Sequence, residues 1–335
     1  MLEYIPYLED HGFRITVSAL LTDTYLKSYY ETAKKSFGEI VKSYLVRIAQ
    51  LVKTGGYDLI WIEKELLPFL PSWGESLLRL LGKPYVVDYD DAVFHNYDLH
   101  SNRAIRFLLG RKIDTVMRQA AMVIVGNDYL ADRARRAGAN RVEYLPSVID
   151  LDRYQVISPQ EKGVFTIGWI GSPSATYYLK IVEPAFSEIC KGGNTCVVLV
   201  GAGSTDLMAV PFEVRPWSED TEVVDIQKFD VGIMPLPDTP WERGKCGFKL
   251  IQYMACGLPV VASPIGVNIS IVEHGVNGFL ADTTDEWARA LNTLRDKPEL
   301  RLKMGRAGRA KVEAEYCLQV TAPRMLELLK GVVRN

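Results

Sequence analysis

Three cations, Arg243, Lys245 and Lys249, crowd the start of the stretch Glu242 to Gly257, which reads Glu-Arg-Gly-Lys-Cys-Gly-Phe-Lys-Leu-Ile-Gln-Tyr-Met-Ala-Cys-Gly. Leu250, Ile251 and Met254 recur at helical spacing, so a helix is expected from about Gly247 to Ala255, ended by Gly257. Lys249 and Gln252 then share its opposite face, one turn apart. Cations at a helix N-terminus oppose the macrodipole, which prefers an anion there by ~0.3 to 1 kcal/mol. A bound diphosphate reconciles the two, because lysines and main-chain N–H groups grip the same oxygens. Lysines that simply stay in water fit the charge pattern equally well.

Two further loops follow expected strands. Gly168-Trp169-Ile170-Gly171-Ser172-Pro173-Ser174 leads into a helix, where glycine lets a ligand approach the backbone and Ser172 or Ser174 can cap the helix or bind an oxygen. Gly201-Ala202-Gly203-Ser204-Thr205-Asp206 half-matches the dinucleotide fingerprint, but Asp206 occupies the third glycine position. It reads as a turn beside the site and speaks against a dehydrogenase. Nearer the N-terminus, Asp88-Tyr89-Asp90-Asp91 and His95 leave a strand at the edge where open α/β sheets bind ligands. Asp90, Asp91 and His95 could orient a hydroxyl or act as a base; a turn, a helix cap and a surface imidazole are the bland alternatives. Gly126 and Asn127 follow the next strand, with Asn127 most simply an N-cap. Residues 101–141 hold nine basic side chains against three acidic ones, which suits either a solvated face or peripheral contact with anionic headgroups.

The elements that carry these residues alternate throughout, the pattern of parallel sheets wrapped by helices. Strands are expected at 14–18, 58–62, 84–88, 122–125 and 141–145, then at 165–170, 195–200, 212–215, 231–234, 259–262 and 278–280. Helices are expected at 105–120, at 128–137 closed by Gly138, at 298–316 and at 322–333. A chain of 335 residues predicts about two domains. The segment Leu145-Pro146-Ser147-Val148-Ile149-Asp150 and the polar run from Gln155 to Gly163 supply the natural hinge. Domains are thus expected over 1–150 and 151–317, with a C-terminal helix over 318–335: two doubly wound α/β units facing across a cleft. The first periodic segment, residues 2–8, reads as a helix where such a domain normally opens with a strand, so the first strand of the N-terminal domain is expected to be missing.

Composition narrows the function. Apolar residues make up 48% and charged ones 24%, which excludes disorder and fibrous repeats. A net charge of -2 offers no whole-chain attraction to nucleic acid. Five scattered cysteines without a C-x-x-C pair argue against a zinc cage or a disulfide framework, and predict a cytoplasmic setting. No run approaches the ~20 apolar residues that span a bilayer.

Together these motifs resemble the retaining glycosyltransferases of the GT-B fold with a "glycosyl transferases group 1" C-terminal domain, the family four type. Residues 168–173, 244–263 and 273–280 are similar to its donor-domain blocks, and 88–91 and 126–131 to its acceptor-domain blocks. The resemblance implies that the second domain binds a nucleotide-diphosphate sugar and the first a glycan or lipid-linked acceptor. It also implies a last helix that returns to the first domain, and neither metal nor cofactor. Lys245 and Lys249 would stabilise the leaving diphosphate. Gly171, Ser172, Gly201, Gly247, Phe248 and Gln252 would line the donor site, and Gly126 and Asn127 the acceptor side. The chain departs from the pattern in three ways. Gln252 and Gly244 stand where the family commonly has a glutamate pair, no Arg or Lys lies between Gly168 and Tyr178, and residues 2–17 resemble the family's first helix and second strand. A polysaccharide or lipid-linked glycan setting at the inner membrane face would follow. The competing readings are a nucleotide-sugar epimerase on the same fold and a non-catalytic binding subunit.

Overall fold

The computed structural model describes residues 2–22, 25, 36–157, 163–203 and 212–333. Part of the expected linker and the 204–206 half of the dinucleotide-like turn lie outside them. The chain divides into two compact units, Met1–Leu145 with Arg324–Asn335, and Pro146–Pro323. The division falls inside the long last helix, Leu318–Val333.

Unit 1 is built on a parallel sheet of β1 (Ile60–Glu63), β2 (Tyr85–Tyr89), β3 (Met122–Val125) and β4 (Val142–Tyr144), in that spatial order. Val86, Val87, Val123 and Ile124 are fully buried, as strands covered on both faces require. Asp128–Ala137 is helical, capped by Asn127 at its start and ended by Gly138 at φ 83°. Two expectations fail. Residues 14–18 form no strand: they are exposed or half-buried, and β1 pairs only with β2 among the described residues. Ser18 instead receives Arg47 on its carbonyl and donates to Gln50. The helix expected over 105–120 is two helices, Arg103–Leu109 and Lys112–Gln119. Gly110, a weak helix former, lies at the break. Beyond it the Lys112 ammonium is buried, donating to the Glu65 carboxylate and, at 2.6 Å, to the Leu67 carbonyl.

Unit 2 holds a six-stranded parallel sheet in the order β10-β9-β8-β5-β6-β7. Its strands are β5 (Phe165–Ile170), β6 (Thr195–Val200), β7 (Phe212–Arg215), β8 (Val231–Met234), β9 (Val260–Ala262) and β10 (Gly278–Leu280). From β5 the chain winds outward through β6 to β7, then returns to β8 and winds the other way. β5 and β8 therefore flank a topological switch point, and their C-terminal ends open the crevice where such sheets take ligands. One face buries Trp169 and Trp287 among Leu179, Phe186 and Leu291. The other buries Tyr253 and Phe229 with Leu250, Ile251 and Met254, so the apolar face of the 248–255 helix points where its spacing predicted. All five cysteines are free thiols.

Candidate functional site

At the switch point of unit 2 the two walls are the loop after β5 and the loop after β8. Gly171 continues the β5 ladder by donating to Val200 O at 3.0 Å, and Ser172 then shares a 2.9 Å hydroxyl hydrogen bond with Ser174. Across from them, Gly247 at φ 70° turns the chain into the Phe248–Ala255 helix; a Cβ there would fall 2.3 Å from the Ile271 side chain. From that helix Lys249 reaches back to the β5 loop. Its ammonium lies 4.9 Å from the centre of a Trp169 ring, a cation–π contact. Its Cε would be 3.0 Å from a Cβ on Gly171, and the Trp169 ring 2.6 Å from it. Only glycine at 171 leaves room for this convergence. Gly201, at φ 78°, would push a Cβ to 2.5 Å from Gly171 O, so the ends of β5 and β6 also meet without intervening side chains.

The other expected site residues in this unit divide. Lys245 is half-buried beside the helix entrance, and Phe248 is 42% exposed. Arg243 leaves the expected cation trio, pairing with Asp238 at 2.6 and 3.0 Å. Gln252 is not on the open face that its spacing from Lys249 predicted. It is 3% exposed and donates to Tyr154 Oη at 2.7 Å. Gly168 lies buried within β5, where its missing Cβ makes room for the Phe229 ring.

Sequence reasoning missed Glu242. This carboxylate is 3% exposed and accepts from Tyr178 Oη at 2.5 Å, Tyr177 Oη at 3.2 Å and the Thr239 hydroxyl. Burial, followed by the bond to Glu242, drives the Tyr178 hydroxyl far above its ordinary pKa. Glu242 thereby ties the turn after β8 to the turn after β5. The Thr-x-x-Glu spacing of Thr239 and Glu242, a capping signature, was the available signal.

In unit 1 the strand ends carry the opposite charge. Lys64, in the left-handed region at φ 65°, pairs with Asp90 at 2.9 Å and Asp91 at 3.6 Å. Burial would lower the Lys64 pKa, but Asp90 and Asp91 outweigh it and raise it. Burial, reinforced by Asp90, pushes the Asp88 carboxyl up to about 7. His95 has both ring nitrogens engaged within the unit, Nδ1 with Asp98 at 2.7 Å and Nε2 with the Tyr129 hydroxyl at 2.8 Å. Asn127 Oδ1 accepts from Leu130 N at 2.9 Å as an N-cap, and Gly126 N donates to Tyr89 O at 3.2 Å. Much of the basic run is neutralised internally: Arg133 bridges Asp98 and Asp114, Arg135 meets Asp132, and Arg141 meets Glu143.

Two units, each a wound parallel sheet wrapped by helices, give the two-domain Rossmann-like GT-B fold. Residues 164–297, which contain the whole switch-point cluster, match the family described as "Glycosyl transferases group 1". Among curated proteins, a D-inositol 3-phosphate glycosyltransferase of Thermobispora bispora is 37% identical over 146 residues, 39% of this chain and 34% of the relative. A sucrose synthase of Acidithiobacillus caldus is 32% identical over 90 residues, 25% of this chain and 11% of the relative. The matched segments thus span about a third or less of these relatives' length. Among solved structures, Anabaena Alr3699/HepE in complex with UDP superposes with a TM-score of 0.68 at 17% identity, covering 85% of this chain and 82% of that one. A glycosyltransferase from Rickettsia africae gives 0.71 at 14% identity, covering 100% and 94%.

Proposed function

We propose that this chain is a retaining glycosyltransferase that moves a sugar from a nucleotide-diphosphate sugar to a glycan or lipid-linked acceptor. The observation that carries the reading is the convergence of Lys249 on Gly171 at the switch point of unit 2. A diphosphate laid there meets an ammonium, a glycine backbone and a helix N-terminus together. The bond from the sugar's anomeric carbon to the phosphate oxygen breaks while the acceptor oxygen bonds to that carbon on the same face, and the acceptor hydroxyl's proton passes to the departing phosphate oxygen. Negative charge grows on the departing phosphate, and Lys249 and Lys245 stabilise it. Glu242 holds the walls of the site in place and touches no reacting atom.

Unit 1 takes the acceptor. Its strand ends offer hydroxyl-binding carboxylates, Asp90 and Asp91, steadied by Lys64, with Gly126 and Asn127 on the adjoining strand end. His95, with both nitrogens engaged, positions the 95–98 turn. Phe107 and Leu108, 89% and 71% exposed beside Arg103 and Arg111, suit peripheral contact with an anionic membrane face. Among the described residues no helix is long and apolar enough to cross a membrane.

The test is sugar transfer from UDP-, GDP- and ADP-sugars to glycan and lipid-linked acceptors, with the anomeric configuration of the product read by NMR. Lys249→Ala is expected to lower kcat/KM by about 100-fold or more, the scale of losing one preorganised charge-stabilising group. Tight nucleotide binding without turnover would favour a binding subunit, and an isomerised donor sugar an epimerase.

A further inference from the structure

The opposite edge of the unit 1 sheet, where its strands begin, carries a second polar hollow. A cavity of about 660 Å³ opens among the turns that lead into β1, β2, β3 and β4, lined in that order by Asp58, Lys83, Ala121 and Arg141. Ile60 N donates to Pro84 O at 3.1 Å, Ala121 N to Tyr85 O at 2.9 Å and Val123 N to Arg141 O at 2.9 Å, so the sheet itself holds these turns in register. Neighbouring strands stand ~4.8 Å apart, which puts the Lys83 and Arg141 backbones about 10 Å from each other across the small Ala121. Arg79, in the last turn of the Trp73–Leu80 helix, lines the same cavity, as do the Gln119 and Asn140 amides.

The charges in this hollow are not all spent. Lys83 gives two of its three donors to Gly55 O at 2.8 Å and Tyr57 O at 3.0 Å. Arg141 pairs with Glu143 through Nε alone, which leaves both terminal guanidinium nitrogens. Arg79 is exposed and makes no hydrogen bond or ion pair with any described residue. Three cations against one carboxylate, Asp58, give the lining a charge of +2 in a chain whose net charge is -2. The helices Trp73–Leu80, Lys112–Gln119 and Asp128–Ala137 all end on this side, and helix C-termini attract cations. That attraction leaves the idle Arg79 guanidinium and the outer fork of Arg141 unexplained. It also disfavours an anion, which the cations must therefore grip directly, through charge-assisted hydrogen bonds about twice as strong as neutral ones.

We propose that this cavity is an anion site of unit 1, distinct from the diphosphate edge of unit 2, and that it takes a small organic phosphate. Guanidinium groups hold phosphate oxygens in pairs, and the volume falls within the about 300–1,000 Å³ of small-molecule sites. The remaining walls are apolar, with Pro84, Ala120 and Ala121 from the strand entrances and Val332 from the last helix. A phosphate group on the arginines leaves the carbon portion of the ligand against these walls. The proposal stands whether or not unit 2 binds a nucleotide sugar.

The experiment is calorimetric titration of the full chain with phenyl phosphate, inorganic phosphate and phenol. It compares wild type, Arg79→Gln, Arg141→Gln and Lys249→Ala. Phenyl phosphate should bind wild type more tightly than inorganic phosphate does, and phenol should not bind. Arg79→Gln should weaken phenyl phosphate about tenfold or more, the scale of one lost hydrogen bond to a charged group. Arg141→Gln should do the same, and Lys249→Ala should leave the affinity unchanged. Arg79 is exposed and holds no other residue, so its replacement should keep the wild-type Tm and decides the matter if Arg141→Gln is unstable. Absence of phenyl phosphate binding to wild type at millimolar concentration overturns the proposal, as does unchanged affinity in Arg79→Gln. Binding that Lys249→Ala abolishes and Arg79→Gln retains puts the phosphate at the unit 2 edge and overturns it too. Phenol or inorganic phosphate bound as tightly as phenyl phosphate overturns the assignment to an organic phosphate.

Discussion

The strand ends of the two units make opposite electrostatic offers. In unit 2 the edge is glycine backbone with a half-buried lysine drawn over Trp169, and the nearby carboxylate, Glu242, is turned inward to three hydroxyls. In unit 1 the edge is acidic: Asp90 and Asp91 pair with Lys64, and Asp88 lies beside them at the end of β2. The first arrangement suits an anion whose charge grows during reaction; the second suits neutral hydroxyls, which carboxylates accept from without electrostatic conflict. Parallel sheets alone do not dictate this difference. It comes from which side chains each strand end carries and which of them are already paired.

The contrast is most exposed at Lys249. If Lys249→Ala leaves kcat/KM within a few-fold of wild type, the unit 2 edge is not an anion site, however well its glycines are placed. Glu242→Leu comes next. It strands the buried hydroxyl of Tyr178, and an unsatisfied buried group costs ~1–3 kcal/mol. A lowered Tm is expected, together with weaker diphosphate binding, because the two walls lose their tie. Glu242→Gln, which keeps the acceptor oxygen, should recover part of both. A Tm unchanged in Glu242→Leu would show that the tie does not hold the walls.

A smaller effect bears on the acidic side. Asp88 has a folded pKa raised to about 7, so the folded state binds a proton that the unfolded chain releases near the ordinary carboxylate range. Its contribution is present at low pH and is lost as pH rises through about 7. Asp88→Asn should therefore flatten the decline in unit 1 stability between about pH 4 and 7, and raise the Tm most at and above pH 7. A Tm difference that stays constant across that window would contradict the assignment. The least effect belongs to the Arg103–Leu109 helix. Phe107→Ser with Leu108→Ser should leave Tm unchanged, since both side chains are exposed, and should reduce co-sedimentation with phosphatidylglycerol vesicles. Equal sedimentation of the double variant would remove the membrane contact.

Much of the fold was legible in the sequence because strands packed on both faces are almost uniformly apolar. Residues 122–125, 165–170, 195–200, 231–234 and 278–280 form strands over the expected spans, as does the half-exposed edge strand 212–215. The failures have local physical causes. Residues 14–18 have strand-like composition, but a strand needs a neighbour, and none pairs with them among the described residues. The 105–120 helix breaks where Gly110 meets the demand that Lys112 turn inward to Glu65. At the candidate site, Lys249 could be found from its own sequence because cations at a helix entrance are a local anomaly. Glu242 could not be assigned in the same way, because its meaning depends on a distant partner: Tyr178 lies 64 residues from it.

Chain composition and residue spacing were enough to set the alternation of strand and helix, the apolar faces, the glycine turns and the placement of cations before one helix. All of these depend on neighbours a few residues apart. It took the folded chain to establish that Lys249 leans over Trp169, that Gln252 turns inward, that His95 has both nitrogens engaged and that Arg79, Lys83 and Arg141 line one cavity. A side chain's partner is set by which strand ends the winding order brings together, and parallel crossovers bring together residues scores of positions apart.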